Sequence, residues 1–373
     1  MPTLRALLDA VERLAPPGRK ADFDRIGLQV GDADAETDRV LVALDLTPAV
    51  IAEAEAMGAG LVLTHHPLLL HPIHTVTADH PTGALALRLA AAGIGFAAAH
   101  TNLDATPGGV SHALAAELGV ENVRTLAPDR GTMRKLVVFA PEAHADAVRG
   151  AMAAAGAGQI GAYADCSFSA PGTGRFRPLA GTDPHVGAAG GGVHAEPEVR
   201  VEVLAEAWQV GAVTRAMRAA HPYEEVAFDV YAVEQDARTV GYGAIGTLPE
   251  AEPLDAFLAR VADRLGADAL RWSGGAEAVR RVAVCGGSGY SFLPAAVAAG
   301  ADAYVTADIT YHRFFEALGP DGAPRLALVD AGHYETERVA ERLLADALAE
   351  AFPELTVART RHRTSAMKTF VPG

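Results

Sequence analysis

Imidazole and carboxylate side chains gather at three places in this chain, each just past an apolar run. Gly60-Leu-Val-Leu-Thr64 leads into His65-His66-Pro67, and Gly95-Phe-Ala-Ala-Ala99 leads into His100-Thr-Asn-Leu-Asp104. Leu326-Ala-Leu-Val329 leads into Asp330-Ala-Gly-His333-Tyr-Glu-Thr-Glu337. If the apolar runs are strands of an open α/β sheet, their carboxyl ends form one functional rim where the polar clusters meet. His65, His66, Asp104, His333 and Glu337 then make a mixed nitrogen and oxygen ligand set. Such a set suits divalent ions such as zinc, iron, manganese or nickel.

The spacing constrains how these residues could share a site. Adjacent strand residues face opposite ways, so His65 and His66 converge only where Pro67 ends the strand, each ring reaching one of two neighbouring ions. His333 and Glu337 are four apart and share a face if a helix starts after Asp330-Ala-Gly. A carboxylate can bridge two cations, which makes Asp104 or Glu337 the bridging candidate. The surplus positive charge of two ions would favour bound hydroxide and an anionic or carbonyl-bearing ligand. Taken singly, a strand-end histidine is more often an ordinary hydrogen-bonding residue. Recurrence after three separate strands gives the metal reading its weight.

Other polar groups near the same rim each have two readings. Cys285-Gly286-Gly287-Ser288-Gly289 follows a strand, so the backbone around Ser288 and Gly289 could bind a substrate phosphate; a tight turn that needs glycine is the commoner explanation. Asp308 and His312 are candidates for moving protons and Tyr311 for orienting substrate. Helix capping by Asp308 and surface packing by the other two compete with that role. His221-Pro-Tyr-Glu-Glu225 reads as a turn with a packing role, and His71, His74 and His80 as parts of a solvated loop.

The elements that must position the rim come as an internal repeat. Arg39-Val-Leu-Val-Ala43 lies over Arg281-Val-Ala-Val-Cys285 without gaps, and the same register pairs Gly58-Ala59 with Gly300-Ala301. Each copy reads as strand, polar turn, helix, glycine turn and strand, which is a βαβ unit. An amphipathic helix precedes each. The first repeats Leu4, Leu7, Leu8, Val11 and Leu14 with Thr3 as N-cap; the second carries Leu254, Phe257, Leu258, Val261 and Leu265. The expected fold is therefore α/β, a duplicated three-layer α/β core whose two related halves build one site.

Between the copies the pattern changes. Lys135–Ala140, a stretch near Ile160–Ser169, Val199–Leu204 and Val226–Ala232 read as strands. Helices are expected from about His144 to Ala155 and from about Val210 to Ala220. A Gly/Pro-rich loop is expected from Pro171 to Gly192. The order is that of a ferredoxin-like α+β domain inserted into the core. The expected domains are 1–129, the first half of the core; 130–238, the insert; and 239–373, the second half.

Composition sets outer bounds. The 373 residues carry 46 Asp plus Glu against 31 Lys plus Arg, a net charge of -15. That balance argues against nucleic acid as the main partner, which would want a basic face. Two cysteines are too few for a disulfide scaffold and fit a reducing cytoplasm. Charges at Arg5, Asp9, Glu12 and Arg13 interrupt any signal-peptide core, and the uncharged window from Val282 to Ala301 is broken by glycines and Pro294. A cytoplasmic protein without a membrane span is expected.

Taken together, the motifs resemble one family. Gly27-Leu-Gln-Val-Gly31, Thr64-His65-His66-Pro67, His100-Thr-Asn-Leu-Asp104, Thr306-Ala-Asp-Ile-Thr-Tyr-His312 and Asp330-Ala-Gly-His333-Tyr-Glu-Thr-Glu337 are similar to signatures of the Nif-three-like dinuclear-metal hexamers. Members are often labelled GTP cyclohydrolase type II homologues. Tyr163-Ala-Asp-Cys166-Ser-Phe168 and His221-Pro-Tyr-Glu-Glu225 match the longer members, so the resemblance covers essentially the whole chain. It implies two divalent metal ions per subunit, held by His65, His66, Asp104, His333 and Glu337. It also implies a toroidal homohexamer and an insert similar to CutA and PII proteins. The label suggests a metal-dependent hydrolase acting on a nucleotide-like or phosphorylated small molecule. The alternative is a metal-binding or regulatory scaffold working through its insert on an effector. Two positions depart from the family pattern: Phe23-Asp24-Arg25 stands where Trp-Asp-Asn is common, and Ala307 replaces a glycine. Neither is a presumed ligand, so the departures bear on the substrate pocket.

Overall fold

The structure, a computed structural model, describes residues 1–234, 237–275 and 277–370. The chain divides into two compact units, Met1–Ala127 with Thr239–Gly373, and Pro128–Arg238. The strands in chain order begin with β1 (Gly27–Val30), β2 (Arg39–Ala43), β3 (Leu61–Thr64), β4 (Gly95–Ala98) and β5 (Glu121–Asp129). Next come β6 (Met133–Pro141), β7 (Ser167–Phe176), β8 (His194–Glu206) and β9 (Phe228–Ala232). The last are β10 (Ala237–Pro253), β11 (Arg271–Gly274), β12 (Ala278–Val284), β13 (Ala303–Thr306), β14 (Ala327–Asp330) and β15 (Thr356–Arg359).

The larger unit holds two sheets, in the orders β1-β4-β3-β2-β15 and β11-β14-β13-β12-β10-β5. Each has a parallel core. In the first, Ala43 pairs with Thr64 and Thr64 with Ala98; in the second, Val284 pairs with Val305 and Thr306 with Asp330. This register brings the carboxyl ends of neighbouring strands level, so the residues just beyond them share a rim. Beyond the exposed Arg39 of β2 and Arg280 and Arg281 of β12, these strands are apolar because they are covered on both faces. Val40 and Val42 enter the same core as Val282 and Val284, together with Leu7, Leu114, Val261 and Leu344 from four helices. The alternate residues face away: Leu41 and Ala43 pack on Val50, Ile51 and Leu89, and Ala283 and Tyr304 pack on Leu293 and Ala296. Each half is thus helix, sheet and helix, the expected three layers. Each fully buried Leu or Val contributes roughly 1.5–3 kcal/mol.

Local signals explain the helices. Thr3 caps Leu4–Leu14, its hydroxyl accepting the Ala6 amide at 3.2 Å. Leu254–Leu265 buries Phe257, Leu258, Val261 and Leu265, as its periodicity predicts. Among the described residues no helix is long and apolar enough to cross a membrane.

The smaller unit runs β6, helix Ala145–Ala154, β7, β8, helix Val210–Ala220, β9. Its strands are antiparallel in the order β7-β8-β6-β9, a ferredoxin-like topology. Val148, Met152, Val213 and Met217 from the two helices pack on Leu136, Val138, Val201 and Val203 from β6 and β8. The strand expected near Ile160–Ser169 lies further on, at Ser167–Phe176, so Pro171 to Gly174 belong to it and not to a loop. A proline is tolerated because β7 is an edge strand, with a partner on one side only.

Candidate metal centre

The rim of the larger unit brings all five expected ligands together. His65 and His66 follow β3, and their amides donate to Ala43 and Leu44, which fixes both rings at the strand end. Asp104 does not follow β4 directly: the chain turns at His100 into a one-turn helix, Thr101–Ala105, that carries the carboxylate back to the rim. After β14, Gly332 takes a left-handed φ of 91° and starts the helix His333–Glu337, so that His333 and Glu337 share a face.

The distances describe a closed constellation. Glu337 Oε2 lies 2.9 Å from His66 Nε2 and 2.9 Å from His333 Nε2, and these two nitrogens are 3.4 Å apart. His65 Nε2 is 3.6 Å from Asp104 Oδ1 and 3.9 Å from Glu337 Oε1. Among the described residues, three overlapping groups have donor atoms all within 4.8 Å of one another: His65, Asp104 and Glu337; His66, His333 and Glu337; and His65, His66 and His100. His100 is an addition to the five expected ligands; it opens the motif His100-Thr-Asn-Leu-Asp104 that also supplies Asp104.

Each ring is held by its other nitrogen. His65 Nδ1 donates to the Ala99 carbonyl at 2.8 Å. The Nδ1 atoms of His66, His333 and His100 lie 2.6, 2.7 and 2.8 Å from Asp45, Asp308 and Asp24. Carboxylate or carbonyl partners of this kind fix the tautomer and orientation of metal-ligating imidazoles. Asp24 is fully buried and also accepts the Thr101 amide and hydroxyl; Asp45 also accepts the Thr364 hydroxyl at 2.7 Å. The stretch Phe23-Asp24-Arg25 therefore does reach the cluster, through Asp24, the one position of that triplet that matches the family pattern.

Burial and close contact push the protonation of these five side chains in opposite directions. Burial pulls the His65 ring down to about 3, so it is neutral, with Nε2 a bare lone pair. Burial also lowers His66 and His333, but carboxylate contacts outweigh it and hold them up at about 9 and about 11. Asp104 is pushed well above the usual carboxylate range by burial and by Glu337. Glu337 is buried too, yet His333 and His66 hold it well below that range. His65 Nε2 is fully buried and has no hydrogen-bond partner among the described residues. An orphaned lone pair aimed between two carboxylates fits a cation, which would satisfy it and replace the protons on its neighbours.

The glycine loop after β12 serves this cluster by standing close to it. A Cβ on Gly287 would collide with the Glu337 carboxylate, and Gly287 has a left-handed φ of 58°. The loop amides of Gly286, Gly287 and Gly289 are taken by the hydroxyls of Ser111, Thr336 and Thr306. Ser288 is exposed. Asp308 holds His333, while Tyr311 and His312 lie exposed at the start of the 3₁₀ helix Tyr311–Ala317 with their rings 5.2 Å apart. His71, His74 and His80 are exposed.

Comparison with known proteins places this architecture. The family model for Duf34/NIF3 (NGG1p interacting factor 3) matches residues 2–366. The chain belongs to the Duf34/NIF3 family. Relatives called GTP cyclohydrolase 1 type 2 homolog include one from Mycobacterium leprae, 43% identical over 343 residues, covering 90% of this chain and 86% of the relative. One from Mycobacterium tuberculosis is 42% identical over 339 residues, covering 90% and 88%. Among solved structures, a Bacillus cereus protein related to NIF3 superimposes with a TM-score of 0.84 at 36% identity, covering 99% of both chains.

Proposed function

We propose that this Duf34/NIF3 protein holds two divalent cations in the cluster and uses them to hydrolyse a nucleotide-like or phosphorylated small molecule. The observation that carries the reading is His65 Nε2, buried, unpartnered and facing Asp104 and Glu337. His65, Asp104 and Glu337 would hold one ion; His66, His333 and Glu337 the other, with Glu337 between them. Bound there, two cations would polarise a substrate oxygen and supply hydroxide near neutral pH. The chain's own residues prepare the site. Asp45, Asp308 and the Ala99 carbonyl orient the rings. His65 and Glu337 are sealed from water, whereas the side chains of His66 and His333 are 23% and 33% exposed, so substrate would approach from their side.

The name shared by the relatives suggests opening of a purine ring as one such hydrolysis; a phosphoester is an equally suitable substrate for paired cations. The acidic surface favours small molecules over nucleic acid. We further propose that the smaller unit is an insertion into the duplicated core and that six chains assemble as a ring, for which light scattering should give about six times 38.6 kDa. Elemental analysis of purified protein should find close to two divalent ions per chain. Replacing His333 and Glu337 by alanine should remove most of the metal, and with it hydrolysis across a panel of nucleotides, pterins and phosphodiesters. Metal retained by the double variant would refute the ligand set; loaded wild type without turnover on the panel would refute the hydrolase.

A further inference from the structure

The smaller unit contains a cavity of about 710 Å³ that the metal chemistry does not use. Its size falls in the range typical of small-molecule sites. β7 from Ala170 to Phe176, Phe139 of β6 and Glu198 and Arg200 of β8 line it, with the loop after β7 and the turn Tyr223–Ala227. The loop is tied down: the Asp183 amide donates to both Glu224 oxygens at 3.2 and 3.1 Å, and the Gly190 amide to the Pro178 carbonyl at 3.0 Å. The turn is tied down as well, since His221 reaches the Phe139 carbonyl at 3.0 Å and receives the Tyr223 amide.

Three kinds of group face this space. Phe176, Tyr223 and His185 present rings, with centroids 5.9 Å and 6.1 Å from Tyr223 to the other two. Arg175 and Arg177 are exposed and have no ion-pair partner among the described residues, while Arg200 is already paired with Glu202 at 2.8 Å. Glu198, Glu224 and Glu225 supply carboxylates; Glu198 accepts the Tyr223 hydroxyl at 3.1 Å. Arginines and carboxylates are equal in number here, so a plain anion would leave the acids opposed to it. A ligand that suits all three must offer a flat ring, hydroxyl or amino donors for the carboxylates, and a separate anionic group for the arginines.

We propose that this cavity is a nucleotide site: the base against Phe176 and Tyr223, sugar hydroxyls or base amino groups toward Glu198, and phosphate on Arg175 and Arg177. The assignment is independent of the metal centre, whose residues all lie in the other unit. It gives the smaller unit an effector-binding role and the chain two separable sites.

Calorimetric titration of the full-length protein with AMP tests this, alongside three variants and a sugarless control, indole-3-acetate. Arg175→Glu and Arg177→Glu change exposed side chains and should each weaken AMP binding about tenfold while circular dichroism stays native. Tyr223→Phe keeps the ring but loses the bond to Glu198, and should cost less than either. AMP binding should persist in the His333→Ala/Glu337→Ala protein, and indole-3-acetate should bind at least about tenfold more weakly than AMP. No AMP binding at about 1 mM, binding lost with the metal-site residues, binding indifferent to both arginines, or equal affinity for indole-3-acetate would each overturn the assignment.

Discussion

Arg39 and Arg281 occupy equivalent places in the two halves of the core and make the same contact. The guanidinium of each donates at 3.0 Å to the carbonyl just before a left-handed glycine, Met57 before Gly58 and Ala299 before Gly300. Each arginine thereby satisfies a carbonyl that the end of a helix leaves open, and places positive charge at the negative end of the helix dipole. The contact explains why arginine and glycine recur together in the two copies. Both arginines are exposed, so Arg39→Ala and Arg281→Ala should each cost only about 0.5–1.5 kcal/mol. Urea denaturation of the two variants measures this; a cost confined to one of them would break the equivalence of the halves.

Gly287 is the residue whose replacement should damage the site most selectively. Its φ of 58° already strains any other residue, and a Cβ would strike the Glu337 carboxylate. Gly287→Ala should therefore displace Glu337 and cost about 1–3 kcal/mol of stability. Elemental analysis of the purified variant should show metal loss comparable to Glu337→Ala with a native far-ultraviolet spectrum. Full metal content would mean that the loop yields instead of the carboxylate.

What the sequence made legible, and what it hid, follows from which contacts are local. β3, β13 and β14 are buried throughout, as are β2 after Arg39 and β12 after Arg281, which writes them into the chain as short apolar runs with rim residues beyond their ends. His65, His66, His333 and Glu337 could be read from that rule. Asp45 obeys it too, standing two residues past β2 as His66 stands two past β3, but a single acid after a strand carries no spacing signal. Asp24 lies in an irregular stretch and meets His100 only through the tertiary fold. β10 escaped notice because Gly241, Gly243, Gly246 and Pro249 look like a loop; a Cβ on Gly246 would strike the Glu121 carbonyl, so these glycines mark close backbone approach rather than a turn.

The carboxylates behind the imidazoles should matter almost as much as the ligands. Asp45→Asn keeps the shape of the side chain but removes the charge that orients His66 and raises its basicity. Metal affinity, measured by competition with a chromogenic chelator, should fall about 10–100-fold. Asp24→Asn should produce a similar loss if His100 is a ligand, because its Nδ1 is held by Asp24 alone among the contacts seen. An unchanged affinity in Asp24→Asn would remove His100 from the ligand set while leaving the other five in place.

Glu341 gives the fold a pH dependence away from the ligands. Burial pushes its carboxyl up to about 7, with Asp45 adding to the effect; the Leu44 amide, which donates at 3.0 Å, and Arg359 and Arg338 only partly oppose it. The ordinary carboxyl value near 4.5 applies to the unfolded chain. Between the two values the folded protein binds more protons than the unfolded one, so stability must fall as pH rises from about 4.5 to about 7 and then level off. The loss at alkaline pH should be on the order of 2 kcal/mol once partial solvation is allowed for. Glu341→Gln keeps an oxygen for the Leu44 amide but cannot ionise. Its denaturation midpoint should match wild type near pH 4.5 and exceed it at pH 8, with the difference growing through that window. Parallel pH curves for the two proteins would show that Glu341 is ionised in the folded state at no cost, and that solvent reaches it.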